Sequence, residues 1–394
     1  MTEPARHVPL RPIAWNESAA KAAIEDIVAD GHFDGERFWP AHPLDEGIRD
    51  GHTSFYFGAT GVIWGIDYLG RVGATKARFD FRPTLPRLLE ANQAEFAQFG
   101  DYAAHGSLLF GDLGTALAIM RLDPTPEIAD LVHTRADANT KLPVRELMWG
   151  LPGSMIACVH MGAMTDEPRW RALFEIQAAH LLDDLQETDK GPLWTQDLYG
   201  NHLRYLGPVH GYAGNMIALM LGWGWLTDAQ RARIADAVPR TLTANAWRSE
   251  HGVSWRAVAA DREEAPQLCQ HCHGAPGMVT AFADAPFTSP ALEELLREGG
   301  RYTWAVGPLA KGSNLCHGTG GNGYAFLKLY RRTKDPIWLE RARAFAMTAI
   351  AQYREARAEL GRGRYSLWTG DIGLAVYLWD CARAEPAFPT IDVF

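Results

Sequence analysis

The sequence predicts an all-α fold, an α/α toroid (barrel) in which seven helix hairpins close into a ring. A Gly-x-x-Gly motif recurs seven times at intervals of about 40 to 60 residues. An apolar stretch of helical composition follows each copy, and few segments alternate apolar and polar residues as a strand would. A self-similar unit of this length indicates a repeat architecture.

The glycine motifs divide the chain into equivalent units. In chain order they begin at Gly58, Gly111, Gly150, Gly211, Gly274, Gly318 and Gly370. Each interval has room for one further helix, so a unit consists of an amphipathic helix, a loop, the glycine motif and a more apolar helix. We expect the apolar helices to form an inner ring and the amphipathic helices an outer ring.

The segments between the motifs carry helix start signals. Asp335 supplies an N-cap before Pro336, and proline is favoured at the first helical position. Thr227 with Gln230 fits a capping box, and residues 166–168 (Asp-Glu-Pro) are expected to open a third helix. The helix after Pro336 carries an apolar stripe that predicts a buried face; its members are Trp338, Ala342, Phe345, Ala349 and Tyr353.

If each motif opens an inner helix, seven helix N-termini surround the centre of the ring. Helix N-termini carry unpaired N–H groups and partial positive charge, which favour anions such as thiolates and carboxylates. For any single copy, the alternative is that the glycines only allow close packing of helices.

Charge and composition exclude several classes of protein. The formal net charge of −9 argues against nucleic-acid binding, which calls for a basic face. The longest apolar run, residues 216–226, is too short to span a membrane. Residues 1–18 lack the apolar core of a signal peptide, and five cysteines without an export signal indicate free thiols. We therefore expect a cytoplasmic protein whose single domain covers residues 1–394, with an N-terminal arm to about residue 20.

Metal-type ligands are concentrated in motifs four to six. His210, His273 and His317 each directly precede the first glycine, and Cys272 and Cys316 precede two of them. Thiolate and imidazole suit zinc, and three protein ligands with an open position are typical of a catalytic zinc site. Because the two Cys-His-Gly motifs belong to consecutive repeats, their ends should be neighbours. The alternative is two buried structural cysteines beside loop histidines.

These motifs resemble the lanthionine synthetase C (LanC) family. The resemblance rests on residues 210–214 (His-Gly-Tyr-Ala-Gly), 272–277 (Cys-His-Gly-Ala-Pro-Gly) and 315–322 (Leu-Cys-His-Gly-Thr-Gly-Gly-Asn), and it spans the repeat region. Residues 315–330 and Lys311 resemble the eukaryotic-type branch, the LanC-like glutathione-transferring proteins. The resemblance implies a seven-fold α/α toroid with one zinc ion at its centre.

The resemblance also implies site residues and an activity. Zinc would be held by Cys272, Cys316 and His317. The family adds a cysteine or glutathione thiol to dehydroalanine or dehydrobutyrine, so the implied partners are a peptide or protein containing dehydroamino acids and, for the eukaryotic-type branch, glutathione. His210 matches the active-site histidine of the family, and Glu146, four residues before Gly150, matches an acidic residue beside the site.

The chemistry of thiol addition agrees with these assignments. A free thiol has a pKa near ~8.5 and is mostly protonated at neutral pH, whereas a metal-bound thiol is deprotonated. Attack on the alkene leaves an enolate that needs a proton at the α-carbon, and a histidine can supply it. We assign that role to His210, with Glu146 orienting it or relaying protons. The alternative for His210 is a histidine at a helix start with no catalytic role.

Two cations and two departures from the family pattern bear on the substrate. Lys311 matches a lysine that the eukaryotic-type branch uses near its anionic thiol or phosphate substrate, and Arg364, beside Arg362, lies where that branch places an arginine. For both, the alternative is a solvated basic loop. Thr369 replaces a glutamate common in that branch. His271 replaces a tryptophan, and we expect an exposed substitution, with a spare zinc ligand or a second acid as alternatives.

The remaining cysteines raise one further question. Cys269 lies three residues before Cys272, a spacing that also suits a fourth zinc ligand or a redox pair. A fourth ligand would close the site to a thiol substrate, and the family supplies a single ligand from this segment. Cys158 and Cys381 lie in apolar helical contexts and are expected to be core residues.

The leading hypothesis is therefore a zinc-dependent enzyme that forms a C–S bond. Glutathione is favoured as the thiol because of Lys311 and residues 315–330, and because no dehydratase domain is attached to the chain. The alternative within this class is a lanthionine cyclase acting on a ribosomal precursor peptide. A non-catalytic zinc protein that binds a peptide or partner is the alternative of another class. Other α/α-toroid enzymes are disfavoured, because a glycosidase needs paired carboxylates and no prenyltransferase ligand pattern is evident.

Overall fold

A computed structural model describes residues 5–31, 38–45, 47, 49–104, 106–260 and 264–394 of the chain. Seven helices in these ranges follow the glycine motifs. They are α2 (Ala59–Arg71), α4 (Asp112–Leu122), α6 (Leu151–Thr165), α8 (Tyr212–Leu221), α10 (Ala275–Phe282), α12 (Thr319–Thr333) and α14 (Asp371–Arg383).

Seven further helices of the described chain alternate with these. They are α1 (Glu17–Asp30), α3 (Leu85–Phe96), α5 (Pro126–Asn139), α7 (Pro168–Asp183), α9 (Asp228–Ala244), α11 (Pro290–Val306) and α13 (Pro336–Leu360). Short 3₁₀ turns cover Arg82–Thr84, Gly100–Ala104 and Trp223–Trp225. Two antiparallel hairpins complete the secondary structure: β1 (Gln196–Leu198) with β2 (Asn201–Leu203), and β3 (Ala246–Ser249) with β4 (Gly252–Trp255).

The helices that follow the motifs form a closed inner ring. Each packs against the next along the chain, from α2 through α14, and α14 packs against α2. The first helix, α1, lies against α13 and α14, so the start of the chain completes the outer layer beside its last hairpin. Every residue of α10 is buried, whereas the outer helix α9 buries one face only. The predicted toroid of seven hairpins is confirmed.

A glycine caps the N-terminus of each inner helix, at the first position of every motif. The second glycine meets a separate requirement. A Cβ atom on Gly321 would lie 1.7 Å from the carbonyl oxygen of Leu315, and one on Gly277 would lie 1.8 Å from that of His271. Close backbone packing is therefore one reason for the motif.

Most of the predicted helix starts match the structure. Asp335 caps α13, and Thr227 with Gln230 forms a complete capping box on α9. The stripe predicted for α13 is buried throughout. Asp166 is the exception: it has φ +55° and ends α6 as a left-handed C-cap, while α7 begins at Pro168 after an N-cap at Glu167.

The ends of the described chain are both tied to the ring. The arm predicted to about residue 20 gives way to α1 already at Glu17, and residues 1–4 lie outside the described ranges. Val8 donates to the carbonyl of Pro308, and Ala310 donates to that of Arg6, both at 2.9 Å. This pairing holds the arm beside the loop that precedes Cys316.

The C-terminal segment, residues 385–394, returns from α14 into the interior of the ring. The Phe394 ring lies 5.1 Å from that of Phe55, and the His160 ring bonds the carbonyl of Ile391 at 3.0 Å. None of the described helices is both long and apolar enough to cross a membrane.

Candidate active site

The loops that lead into α10 and α12 bring Cys272 and Cys316 together. The backbone N–H of Cys272 donates to the carbonyl of Cys316 at 3.1 Å, and the N–H of Cys316 donates to the carbonyl of Trp368 at 2.9 Å. Both cysteines are buried. The neighbouring ends expected of consecutive hairpins are therefore present.

The two thiols lie within hydrogen-bond reach of each other, and this contact shifts their pKa values in opposite directions. A hydrogen bond from Cys316 lowers the pKa of the Cys272 thiol, and the same contact, with burial, raises the pKa of Cys316. The Gln270 amide donates to Cys272 Sγ at 3.0 Å, and the Tyr56 hydroxyl donates to Cys316 Sγ at 2.8 Å. The Gln270 donor lowers the pKa of Cys272. The Tyr56 donor lowers the pKa of Cys316, but the contact with Cys272 and burial outweigh it there.

The third expected ligand, His317, lies next to Cys316 in the chain but its ring is not grouped with the two sulfurs. In the described ranges, no three His, Cys, Asp or Glu side chains are placed together as a metal site. Burial, followed by the charges of Lys311 and Arg364, lowers the pKa of His317 to about 4. The imidazole is thus neutral at pH 7, as a metal ligand must be. Two contacting thiols and a neutral imidazole fit zinc in donor type, with two of the three donors already adjacent.

His210 and Glu146 form a pair. His210 Nδ1 lies 2.9 Å from Glu146 Oε2, and Glu146 is fully buried. The carboxylate also accepts from the backbone N–H groups of Met148 (3.1 Å) and Trp149. Because Glu146 accepts from Nδ1, the other ring nitrogen, Nε2, is left for chemistry. The charge of His210 also lowers the pKa of Cys272, so the pair and the cysteines face one region.

The two predicted substrate-binding cations differ in their surroundings. The charge of Lys311 acts on Cys272, Cys316 and His317, whose pKa values it lowers. Arg364 Nε donates to Asp45 Oδ1 at 2.8 Å, and both side chains are largely buried. Lys311 is exposed, on the turn before α12, whereas the charge of the largely buried Arg364 is already balanced by Asp45.

A cleft of about 390 Å³ opens beside Gln270, the residue that donates to Cys272 Sγ. Its walls are the N-terminal arm at Arg6 and His7, the loop at Cys269 and Gln270, and Lys311. The wall of the cleft thus includes Gln270, which donates to Cys272. It also includes two cations, Arg6 and Lys311.

The departures from the family pattern are not surface features. The prediction that His271 is exposed is wrong: it is 3% exposed, its ring stacks 4.5 Å from that of Phe388, and burial lowers its pKa to about 3. The loop before α10 turns this side chain into the interior of the ring. Thr369 is also buried, where its hydroxyl bonds that of Ser366 at 2.8 Å.

Cys269 does not join the cysteine pair. It is buried beside Thr303, and burial raises the pKa of its thiol to about 12. All the cysteines, including the core residues Cys158 and Cys381, are unbridged. Cys269 and Cys272 are thus not joined by a disulfide, and no hydrogen bond between these two thiols is present in the described ranges.

An aromatic wall, which the sequence analysis missed, connects the cysteines to His210. Tyr56 stacks on Phe110 (5.5 Å), Phe110 stacks on Trp149 (4.9 Å), and the Trp149 indole donates to the Tyr199 hydroxyl at 2.7 Å. The edge of Tyr199 meets the His210 ring at 5.6 Å. Tyr56, Phe110 and Trp149 lie one or two residues before the first glycine of motifs one to three, the positions that hold Cys and His in motifs five and six. Tyr199 lies outside any motif.

Tyr199 is also held in an uncommon conformation. It has φ +54° at the tip of the β1–β2 hairpin, its backbone N–H donates to the Tyr102 hydroxyl at 3.0 Å, and its side chain is 52% exposed. A non-glycine residue in this region costs free energy and persists only where its surroundings fix it.

Comparison with known proteins agrees with this architecture. A family profile described as "Lanthionine synthetase C-like protein" matches residues 42–393. The chain is 35% identical over 130 residues to glutathione S-transferase LANCL1 of Danio rerio, a match that covers 32% of each protein. It is 43% identical over 83 residues to LanC-like protein GCL1 of Arabidopsis thaliana, covering 20% of this chain and 19% of that one.

The aligned segments thus span about a third or less of these curated relatives. In three dimensions the chain is similar to nisin cyclase, with a TM-score of 0.58 at 14% identity over 93% of this chain and 99% of that one. Both curated relatives are eukaryotic LanC-like proteins, as Lys311 and residues 315–330 predict. The family match covers nearly the whole ring, and the chain belongs to the lanthionine synthetase C-like family.

Proposed function

We propose that this protein catalyses the zinc-dependent addition of a thiol, preferentially that of glutathione, to dehydroalanine or dehydrobutyrine residues in a peptide or protein. The observation that carries the proposal is the contact between Cys272 and Cys316, at a place where the charge of His210 also acts on Cys272. The thioether activity rests on family membership, and the metal and the substrate are our inference.

Zinc, held by Cys272, Cys316 and His317, would keep the substrate thiol deprotonated at neutral pH. The charge of Lys311 already acts on both cysteines and favours negative charge at the same place. We assign the cleft at Arg6, Gln270 and Lys311 to the thiol substrate, because its two cations complement the carboxylates of glutathione. Arg364 is paired with Asp45, and we assign it a supporting role at the substrate site.

The addition step balances without further reactants. The sulfur lone pair forms a bond to the β-carbon of the dehydro residue, and the π electrons move to the adjacent carbonyl oxygen as an enolate. The imidazolium of His210 then delivers a proton to the α-carbon, and the proton lost by the thiol restores it. Glu146 holds the His210 ring through Nδ1, so that Nε2 faces the substrate.

The enolate oxygen needs a hydrogen-bond donor, and Tyr199 can supply one. Burial raises the pKa of its hydroxyl well above the ordinary value, so the proton is retained at neutral pH. The Trp149 indole donates to the hydroxyl oxygen and leaves its hydrogen for the substrate. We propose that this hydrogen stabilises the developing negative charge, as donors in other oxyanion sites do.

The test uses two dehydroalanine peptides, one with and one without an internal cysteine, incubated with the protein at varied glutathione concentration. Mass spectrometry distinguishes the glutathione adduct (a mass gain) from ring closure (no mass change, one thiol fewer). We expect adducts that depend on glutathione and are lost in His210→Ala with zinc retained. Ring closure without added thiol would support the lanthionine cyclase alternative instead.

Metal analysis separates catalysis from a non-catalytic zinc protein. Cys272→Ala should lose bound zinc, whereas Cys381→Ala, which removes a buried thiol from α14, should keep it. If His210→Ala kept full thioether formation, the residue assignment would fail. If the wild type held zinc but modified neither peptide, a binding role would be the better conclusion. The unbridged thiols also suit a reducing compartment, and we propose the cytoplasm.

A further inference from the structure

A cavity of about 240 Å³ lies inside the ring, away from the cleft assigned to the thiol. Helices α8, α10 and α12 form its sides, and the C-terminal segment covers part of it. Its walls are mainly apolar and include Ile217, Met220, Leu221, Ala281, Trp368 and Phe388. Nothing in the proposed thiol addition uses this space.

The charged groups in the cavity wall already have partners. The Lys328 ammonium pairs with both Asp284 and Asp392, and Lys328 is 1% exposed. Arg331 donates to Asp284 (3.1 Å) and to the carbonyl of Pro386 (2.9 Å). Two cations therefore face two carboxylates, and the wall presents no net charge to an occupant.

The uncharged polar groups leave one unsatisfied side chain. The Thr280 hydroxyl donates to the carbonyl of Pro276 (2.8 Å), and the Trp368 indole donates to Thr390 (3.2 Å). His271, in contrast, lines the cavity and has no hydrogen bond from its ring to any residue in the described ranges. Its Nδ1 is fully buried, which leaves Nε2 as the ring nitrogen that an occupant can reach. Buried polar atoms without partners are rare in folded proteins, because each costs about 1–3 kcal/mol.

Size and wall chemistry together define the occupant. A dry cavity of about 150 Å³ accommodates benzene, so 240 Å³ accommodates an aromatic ring with a small substituent. The Phe388 ring stacks on His271 at 4.5 Å and Trp368 lies 5.4 Å from Phe388, which provides aromatic surface beside the free imidazole.

We propose that this cavity is a second binding site, which takes a small uncharged aromatic molecule bearing one hydroxyl or N–H group that hydrogen-bonds the His271 ring. The site does not depend on the proposed thiol addition. Because His271 directly precedes Cys272, an occupant would lie behind the loop that carries one of the expected zinc ligands.

The probe is p-cresol, titrated into the full chain as purified. Binding is followed through the ¹³C-methyl resonance of Met220, assigned with Met220→Leu, and by calorimetry. We expect saturable binding of one molecule per chain, about tenfold tighter than toluene, since one hydrogen bond is worth about 1.4 kcal/mol. The anion 4-methylbenzoate should not bind, because the wall offers no unpaired cation.

Three variants make the test specific. His271→Phe keeps the ring stack but should reduce p-cresol affinity about tenfold, to that of toluene. Ala281→Phe should fill the cavity and abolish binding of p-cresol and of toluene. Ile176→Trp, on the exposed face of α7, should leave the affinity for both probes unchanged. Since His271→Phe preserves ring size, it remains informative if Ala281→Phe does not fold. An unshifted Met220 resonance with every probe, or unchanged p-cresol affinity in His271→Phe, would overturn the proposal.

Discussion

Glu146 is a fully buried carboxylate that receives two backbone N–H groups as well as the His210 ring. The backbone donors fix the carboxylate, and the carboxylate in turn fixes the imidazole. The proposed proton delivery by His210 depends on a fixed ring orientation, because a freely rotating ring would present either nitrogen to the substrate. The same logic applies to carboxylate–histidine pairs in many enzymes.

Replacing Glu146 with glutamine tests this positioning role. Glu146→Gln should lower kcat about 100-fold and change the pH profile of kcat, because a neutral amide stabilises the imidazolium less. Steady-state kinetics from pH 5 to pH 9, with zinc analysis, measure both. Glu293→Gln, which weakens a carboxylate pair with Arg332 on the outer surface, is the matched control and should keep kcat. An unchanged pH profile in Glu146→Gln would contradict the assignment.

A substitution at Tyr199 tests its proposed role as the hydrogen-bond donor to the enolate oxygen. Tyr199→Phe keeps the ring edge against His210 but removes the hydroxyl, so kcat should fall about 100-fold with KM little changed. Tyr102→Phe removes the hydroxyl that accepts from the backbone N–H of Tyr199, and should have a much smaller effect. Equal losses in both variants would indicate that the hairpin is merely held in place.

The candidate site could be predicted from sequence where local motifs carry it. The Cys-His-Gly motifs identify residues whose sulfurs do meet, and the resemblance to the LanC family implies Glu146, the carboxylate that bonds His210. Tyr199 lies in a short hairpin without a motif and reaches His210 only through tertiary folding. The direction of the His271 side chain depends on how its loop turns, which the residue type does not reveal.

At the scale of the element, the second glycine of each motif sets how closely an inner helix approaches the loop before it. The helix begins so near the carbonyl six residues earlier that no Cβ atom fits at Gly321. This contact fixes how far each loop lies from the start of its inner helix. In the sixth motif it thereby fixes the positions of Cys316 and His317.

Gly321→Ala should therefore destabilise the fold by about 3 kcal/mol or more, since backbone must move to admit the methyl group. Gly224→Ala is the matched control, because a Cβ atom there meets nothing within 4 Å. Urea unfolding of both variants measures the change in the free energy of unfolding. A loss below 1 kcal/mol at Gly321 would show that the loop yields easily.

Helix boundaries were predictable where capping chemistry is complete. Asp335 and the Thr227–Gln230 pair accept from the backbone and mark starts correctly. Asp166 has the residue type of an N-cap, but it lies within two residues of both a helix end and a helix start. Asp166 adopts the left-handed conformation that terminates α6 and is therefore a C-cap. Its residue type alone does not distinguish a C-cap from an N-cap.

At the scale of the whole molecule, the interior of the ring is occupied by the C-terminal segment and by buried histidines that cannot easily be protonated. Burial lowers the pKa of His160 to about 4, although its ring bonds the carbonyl of Ile391. In the unfolded chain the value is 6.5. The unfolded chain therefore binds a proton that the folded chain does not, so stability is lost as the pH falls from about 6.5 towards 4.

His160→Gln, which retains an N–H donor for Ile391, should reduce this dependence on pH. Between pH 7.5 and pH 5, the wild type should lose about 2 kcal/mol more of its free energy of unfolding than the variant. Urea unfolding at the two pH values measures the difference. His180→Gln, at an exposed position of α7, should behave as the wild type. The same pH dependence in His160→Gln as in the wild type would contradict the assigned role.

The closed architecture was predictable because the repeat count and the helix pattern recur along the whole chain. The path of residues 385–394 into the ring was not, since a ten-residue irregular segment carries no periodicity. Its position depends on partners distributed over the chain, among them Phe55, His160 and Lys328.

The packing of α1 against α14 joins residues separated by most of the polypeptide. During synthesis, α1 must leave the ribosome and wait until more than 350 further residues have been added before its neighbour exists. Until then the growing chain is an open crescent with an uncovered apolar edge at each end, the state in which partly made proteins aggregate. Assembly is therefore expected to be slow and to depend on chaperones that shield those edges.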